Sequence, residues 1–513
     1  MNRTTLSLIG AATALAAVTG VASLTGGSPD DAGPATKAAT RLPVQRSTLL
    51  CPAPSSSEVS STTYTAYTPK RAGAGGKSGT AELLPAQSPP DEVSAPDAGS
   101  GGKKGGQASQ GDDKPVLPLK APGKPVTTDT DRSDAPALIG TADGPLAPGW
   151  AVQQTTRIDA GSGRGLLGTA CTAPDTDFWF PGASTDQDRQ DFVHLTNPDD
   201  SAAEVDLKLY GPSGRLKSAT DESITVPARS TVPVLLSTLT DQRVANVSLH
   251  VTARTGRVGA AVQAVDQKLG SDWLPASAAP STSVALPGIP ADATSARLVV
   301  FAPGSNDADL KVRLAGPTSS ITPAGHESLH IKSGMTTAID LGDVTKGEPG
   351  SLLLTPEGGE GAATPVVAAL RVTRGEGSDQ ETAFIPATGR IDRSATAADN
   401  RAKGSTLSLV APGATAKVRV TASAGSDGGS PVSKTYEVKG GTSMAMPPPR
   451  PASGKGQYAV TVERLSGGPV HASRMLALPQ GGIPMFTIQP LPDDRGTVVV
   501  PEADQELSLL NDD

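Results

Sequence analysis

A chain of 513 residues exceeds one ordinary domain, so several cores are expected. Apolar residues make up 36 % and aromatics only 3 %, so those cores must rest on Val, Leu and Ala. The net charge of −8 gathers at the end, where seven acids between Asp493 and Asp513 face Arg495 alone; no basic stripe remains to neutralise phosphates, which excludes nucleic acid as the expected partner.

Arg3 precedes an uncharged stretch from Thr4 to Pro29, centred on Leu6–Leu24 and rich in Leu, Ala, Val and Ile. A basic residue followed by an apolar run predicts an export helix. Two fates stay open. Gly20, Ala22 and Ser23 suit signal-peptidase cleavage, and the run also approaches the ~20 residues that span a bilayer as an anchor. Residues 1–29 are therefore read as signal peptide or membrane anchor, and 30–45 as a linker. Any membrane contact is expected through this segment only.

From there the pattern repeats. Ser47–Pro52, Val193–Pro198, Val299–Pro303 and Leu407–Pro412 each read as an apolar strand running into proline. Strict alternation follows in three copies: Val205, Leu207 and Leu209; Leu310, Val312 and Leu314; Val418 and Val420, with charged residues between most of them. Period two with charges between apolars is a half-buried strand. Glycine-tipped hairpins come next, at Gly161–Gly165, Gly256, Gly358–Gly361 and Gly467-Gly468. Each copy closes on an aromatic before proline: Trp179 and Pro181, Trp273 and Pro275, Phe384 and Pro386, more loosely Phe486 and Pro490.

Opening to closing proline spans 77, 83 and 78 positions in copies two to four, against 129 in copy one. The excess falls in residues 70–113, rich in Gly, Pro, Ser and charge, which predicts a disordered insert. About seven short strands per copy predict an all-β fold of tandem immunoglobulin- or fibronectin-like β-sandwich modules. A propeller with one sheet per repeat fits less well, because blades usually need ~40–50 residues. The expected boundaries are 46–183 with the insert, 184–280, 281–390 and 391–492, then an acidic tail at 493–513, solvated and disordered.

His326-Glu327-Ser328-Leu329-His330 has the HExxH spacing of zinc proteases, which needs a helix to bring the two histidines together. Here the segment aligns with a strand, where positions i and i+4 stand ~13 Å apart. No zinc is expected. Ala72–Gly79 imitates a phosphate loop, but Arg71 stands where its first glycine belongs and no strand-loop-helix frame surrounds it. His194 and His250 occupy polar positions of alternating strands and read as exposed. Asp199-Asp200 and Asn306-Asp307 read as turn chemistry. No catalytic, metal or cofactor set survives, so no enzyme is expected. Trp179, Trp273 and Phe384 recur in the pattern; they read mainly as core plugs, with glycan stacking as the functional alternative. Cys51 and Cys171 both fall in the first module of an exported chain, which predicts one internal disulfide.

The opening Met1-Asn-Arg-Thr-Thr-Leu-Ser-Leu, the segment Leu50-Cys51-Pro52-Ala-Pro and the Val-x-Leu-x-Asn-Pro strand at His194 resemble exported actinobacterial proteins of a family known as domain of unknown function 5719. The resemblance implies export and brings no catalytic residues. The expected role is a non-catalytic cell-envelope scaffold or protein-interaction module, outside the cell or on the outer membrane face. Its partners would be envelope proteins. The alternative is binding of cell-wall carbohydrate.

Overall fold

Alternation becomes strand wherever the sequence shows it. In Ala308–Ala315, Ala308, Leu310, Val312 and Leu314 are buried while Asp309, Lys311 and Arg313 are exposed. The computed structural model describes residues 40–71, 78–87, 114–161, 163–219, 222–358 and 363–500. The expected export helix at 1–29, most of the linker and the tail beyond 500 lie outside the described residues. Among the described residues the fold is all-β, with only short 3-10 turns besides.

Eight antiparallel sheets of four or five strands fill residues 43–497, two to a repeat. Thr40–Pro43 and Thr497–Val500 form a separate two-stranded ladder. In repeat two the leading sheet runs Asp177–Ala183, Val247–Thr255, Ala203–Gly211, with Gly214–Arg215 and Ile224–Val226 at its edge. The second sheet runs Thr231–Leu235, Arg189–Thr196, Gly259–Asp266, Gly270–Leu274. A core of Val, Leu and Phe side chains lies between them. This is a β-sandwich, but its wiring is not that of an immunoglobulin domain. The second strand pairs with the penultimate one, and the third with the strand before that; immunoglobulin domains have these pairings exchanged. Alternation reveals a strand and its buried face, not its partner.

The repeats do not form a linear array. The last strand of each second sheet lies against those of the neighbouring repeats: Gly165–Ala170, Gly270–Leu274, Glu381–Pro386 and Phe486–Pro490 contact one another in a closed cycle. We call these the axial strands. The leading strand of each repeat packs on the next repeat. Leu50 lies against Gly259, where a Cβ would stand 2.8 Å from it. Trp179 packs with Phe301 and Val367. Ser473 Oγ donates to the Pro287 carbonyl at 2.7 Å. The fourth seam joins repeat four to repeat one: Thr155 Oγ1 donates to Asp399 at 2.8 Å, and the Asp399 N–H donates to Gln153 Oε1 at 2.8 Å. Eight sheets thus close into a propeller-like ring, each repeat supplying two interleaved blades. Pro181-Gly182 and Pro287-Gly288 put a bulge into two leading strands, with glycine at φ +95° and +93°.

Three sequence expectations need correction. The true counterpart of the opening strands in repeat one is Ser60–Tyr67, followed by Thr68-Pro69; Arg46–Cys51 is instead its leading strand. The expected boundary after residue 183 therefore misassigns Asp177–Ala183, which pairs with Val247–Thr255 inside repeat two. The insert 70–113 contains the strand Ala81–Pro85, with Ala81 and Leu83 buried in the first core. Five residues among Gly and Pro carry too few alternations to stand out. Lastly, Asp493 and Asp494 do not begin a solvated tail. Asp494 accepts from Arg71 Nη2 at 2.6 Å and Ser394 Oγ at 2.7 Å, while Asp493 accepts from the Arg393 N–H at 2.7 Å.

Candidate functional site at the end of the ring axis

The axial strands are buried on both faces, and the groups they bring to the axis are unusual for a core. Asp272 is fully buried. Its Oδ1 accepts from the Gly168 N–H at 2.9 Å, the Trp273 N–H at 2.8 Å and Thr487 Oγ1 at 3.1 Å, so it ties repeats one, two and four together. Burial pushes its carboxyl well above the usual carboxylate range. Glu381 lies 3.7 Å from Arg164 Nε, over the Cα positions of Gly165 and Gly270, where any Cβ would collide with it. Burial raises Glu381 to about 8, against the opposing pull of Arg164. Arg164 also donates to the Gln380 carbonyl at 2.7 Å.

One end of this axis is open. A cavity of about 140 Å³ lies where three axial strands finish, at Ala170, Pro275 and Pro490, with Pro492 beyond. Its remaining wall comes from Leu50, Pro52 and Thr172, which flank the two cysteines, and from the strand pair carrying His194 and Gly259–Ala261. Cys51 and Cys171 form a disulfide, as the sequence predicts, and both are buried. Cys171 follows the axial strand Gly165–Ala170, so the bridge clamps the leading strand of repeat one to the ring axis. The lining is almost wholly apolar and carries no charged group.

Besides Thr169, Thr172 and Thr196, the polar residue of the lining is His194. The sequence places it on an exposed strand face; the structure buries it, because the ring covers both faces of Arg189–Thr196. Its ring stands edge-on to Trp273 with centroids 5.2 Å apart. Burial lowers its pKa to about 4, so the imidazole is neutral. Gln263 opposes that shift weakly, yet neither ring nitrogen meets hydrogen-bonding geometry with it or any other described group.

The other expected sites fare as follows. Trp179, Trp273 and Phe384 are 7 %, 1 % and 1 % exposed, so none offers a face to a sugar. They also do not share one position. Trp273 and Phe384 sit two residues before the closing prolines Pro275 and Pro386 of axial strands, whereas Trp179 is on a leading strand, stacked on His250 at 3.7 Å. Phe384 plugs the core of repeat two under Arg189, whose guanidinium lies 5.2 Å from the ring. His250 is half-buried rather than exposed and bonds Asp177 at 2.9 Å. His330 lies on the strand Ser328–Ile331 and pairs with Asp309 at 2.7 Å and Asp307 at 3.3 Å. His326 is in the preceding turn, so the HExxH spacing has no helix beneath it. Asp199 pairs with Arg257 at 3.0 Å and Asp200 with Arg229 at 3.4 Å. The imitation phosphate loop lies mostly outside the described residues. Among the described residues no cluster of three or more His, Cys, Asp or Glu could hold a metal, and no helix is long and apolar enough to cross a membrane.

Sequence reasoning missed Asp272, Glu381 and the axial cavity. The signal for the cavity was present in the closing prolines Pro275 and Pro490, which end equivalent strands. No curated protein is significantly similar to the chain. A family model, described as "Family of unknown function (DUF5719)", matches residues 126–449, from the first repeat into the fourth. The chain belongs to that family.

Proposed function

We propose that this chain is an exported, non-catalytic protein of the cell envelope, whose ring acts as a scaffold that docks partner proteins at the outer surface. The observation that carries the reading is the closed ring itself. Four repeats are locked by polar and apolar seams, a disulfide and a seam between first and last repeats, which gives a rigid body. Loops held on a rigid scaffold are where binding residues concentrate. The disulfide supports an oxidising compartment, and the apolar N-terminal run supports delivery there.

Cell-wall carbohydrate is the weaker partner, since Trp179, Trp273 and Phe384 are all buried. The test is cross-linking and affinity capture from the native envelope using the full chain, beside a binding arm with protein-free cell wall. Capture of the same envelope protein in both directions supports the reading. Retention on protein-free wall, released by soluble glycan, overturns it.

A further inference from the structure

We propose that residues 505–510 fold back as a third strand on the open edge of the terminal ladder, so that the chain closes its own exposed β-edge. The inference stands apart from the scaffold reading, which survives or fails without it.

The ladder itself is unfinished. It has two strands, Thr40–Pro43 and Thr497–Val500, and no other described strand pairs with either. Two strands alone are marginally stable in water, and a third strand is the usual remedy. Seven large apolar side chains are exposed among the described residues, and four of them are here: Leu42, Val498, Val499 and Val500. The other three, Val59, Ile321 and Leu465, belong to three different repeats. Single exposed apolar residues are ordinary, whereas a cluster marks a contact surface.

The backbone shows which edge is open. The Val44 N–H donates to the Gly496 carbonyl at 3.2 Å, where the two strands meet, so they run antiparallel. Alternate residues of such a strand turn their N–H and C=O groups to opposite sides. Gly496, Val498 and Val500 turn theirs toward Thr40–Pro43. Thr497 and Val499 turn theirs to the other edge, which is a template for one more strand.

The sequence that follows supplies that strand. The chain runs on for thirteen residues after Val500. Pro501 cannot extend the ladder, and Pro501-Glu-Ala-Asp504 has turn composition, with proline presetting its first φ. Gln505-Glu506-Leu507-Ser508-Leu509-Leu510 then alternates, with Leu507 and Leu509 to one side and Glu506 and Ser508 to the other. Ala308–Ala315 shows the same alternation as a half-buried strand within the ring. A strand on so short a tether has an effective concentration on the order of millimolar, so it takes the edge ahead of a second copy in dilute solution.

The test is residue-resolved hydrogen exchange on the full, disulfide-bonded chain. It is compared with a chain ending at Val500 and with a full-length variant carrying Leu507→Asp and Leu509→Asp. The amides of Thr497 and Val499, and alternate amides within residues 505–510, should exchange at least ~10-fold more slowly than in an unstructured peptide. Both variants should lose the slowing at Thr497 and Val499. Their melting temperatures should match the parent, because the compact ring ends at Thr497, and this shows that they are folded. Light scattering across a dilution series should find the parent monomeric. Free exchange throughout residues 505–510 overturns the proposal. So does unchanged slowing at Thr497 and Val499 in the chain ending at Val500. Slowing that fades on dilution together with a parent dimer assigns the edge to a second copy and also overturns it.

Discussion

Replacing both cysteines, Cys51→Ser with Cys171→Ser, should destabilise the whole ring and not repeat one alone. The bridge closes a loop of 120 positions. Chain entropy for such a loop is worth about 5 kcal/mol at 25 °C, an upper value for a bridge of this span. The compact unit runs from Pro43 to Thr497, and a unit of that size unfolds with an entropy of about 1 kcal/mol/K near 60 °C. The melting temperature should therefore fall by up to about 5 °C. Both sulfurs are buried, so two serine hydroxyls placed there add to the loss. Differential scanning calorimetry of the parent and the double variant, at one pH and salt, reads the shift. A fall below about 1 °C would refute the claim that this bridge clamps the axis. A split endotherm with only a small early transition moved would refute cooperativity around the ring. A count of two free thiols in natively exported protein would refute the pairing itself.

Three further outcomes follow from the axis and seams. Gly168→Val sets a Cβ 2.5 Å from Thr487 Cγ2 at the meeting of first and last repeats, and should cost about 1–3 kcal/mol in urea unfolding; Gly163→Val, with only Ile158 Cδ1 at 3.8 Å, should be close to neutral. Glu381, raised to about 8, binds its proton more tightly when folded, so its contribution is full below about pH 4.5 and lost as pH rises through 8. Glu381→Gln should match the parent melting temperature near pH 4 and exceed it increasingly from pH 6 to pH 9; a lower value at pH 9 would sink that assignment. A fragment from Ser184 to Ala279 lacks the leading strand Asp177–Ala183 and the Phe384 plug, so its circular dichroism should show no stable β-structure, and a cooperative melt of the fragment would count against the shared core.

The legible part of this fold was local. Val205, Leu310 and Val418 announced strands because each pairs an apolar side with charged neighbours facing water. Strand-proline endings were equally plain, since proline cannot extend a ladder. The misreading of repeat one arose because Arg46–Cys51 and Ser60–Tyr67 both run toward proline, and Ser/Thr-rich Ser60–Tyr67 has the fainter pattern. Ring closure was not legible, because it depends on seams between residues hundreds of positions apart, such as Thr155 with Asp399. His194 was misjudged for the same reason. Its neighbours alternate like an edge facing water, yet another repeat supplies the cover. The two cysteines were readable from compartment and count, without any knowledge of the ring they clamp.

The axis also explains the odd composition of the strands that form it. Each axial strand is hemmed in by the other axial strands, and its bulky side chains fill either a sandwich core, as Phe384 does, or a seam between repeats, as Trp273 does against Ile158 and Leu167. Gly165, Gly168 and Gly270 leave room for Glu381 and Thr487, which come from other repeats. Asp272 replaces apolar packing with three hydrogen bonds drawn from repeats one, two and four. Polar groups at such a point act as a register device: a strand shifted by one residue loses the two bonds from Gly168 and Thr487 and leaves the buried carboxyl with its own neighbour's N–H alone. The cavity follows from the same geometry. Where the axial strands end, prolines cannot carry the ladder on, the ring opens, and residues of repeats one, two and four face a shared hollow. No single repeat contains that hollow, so its shape depends on closure of the ring.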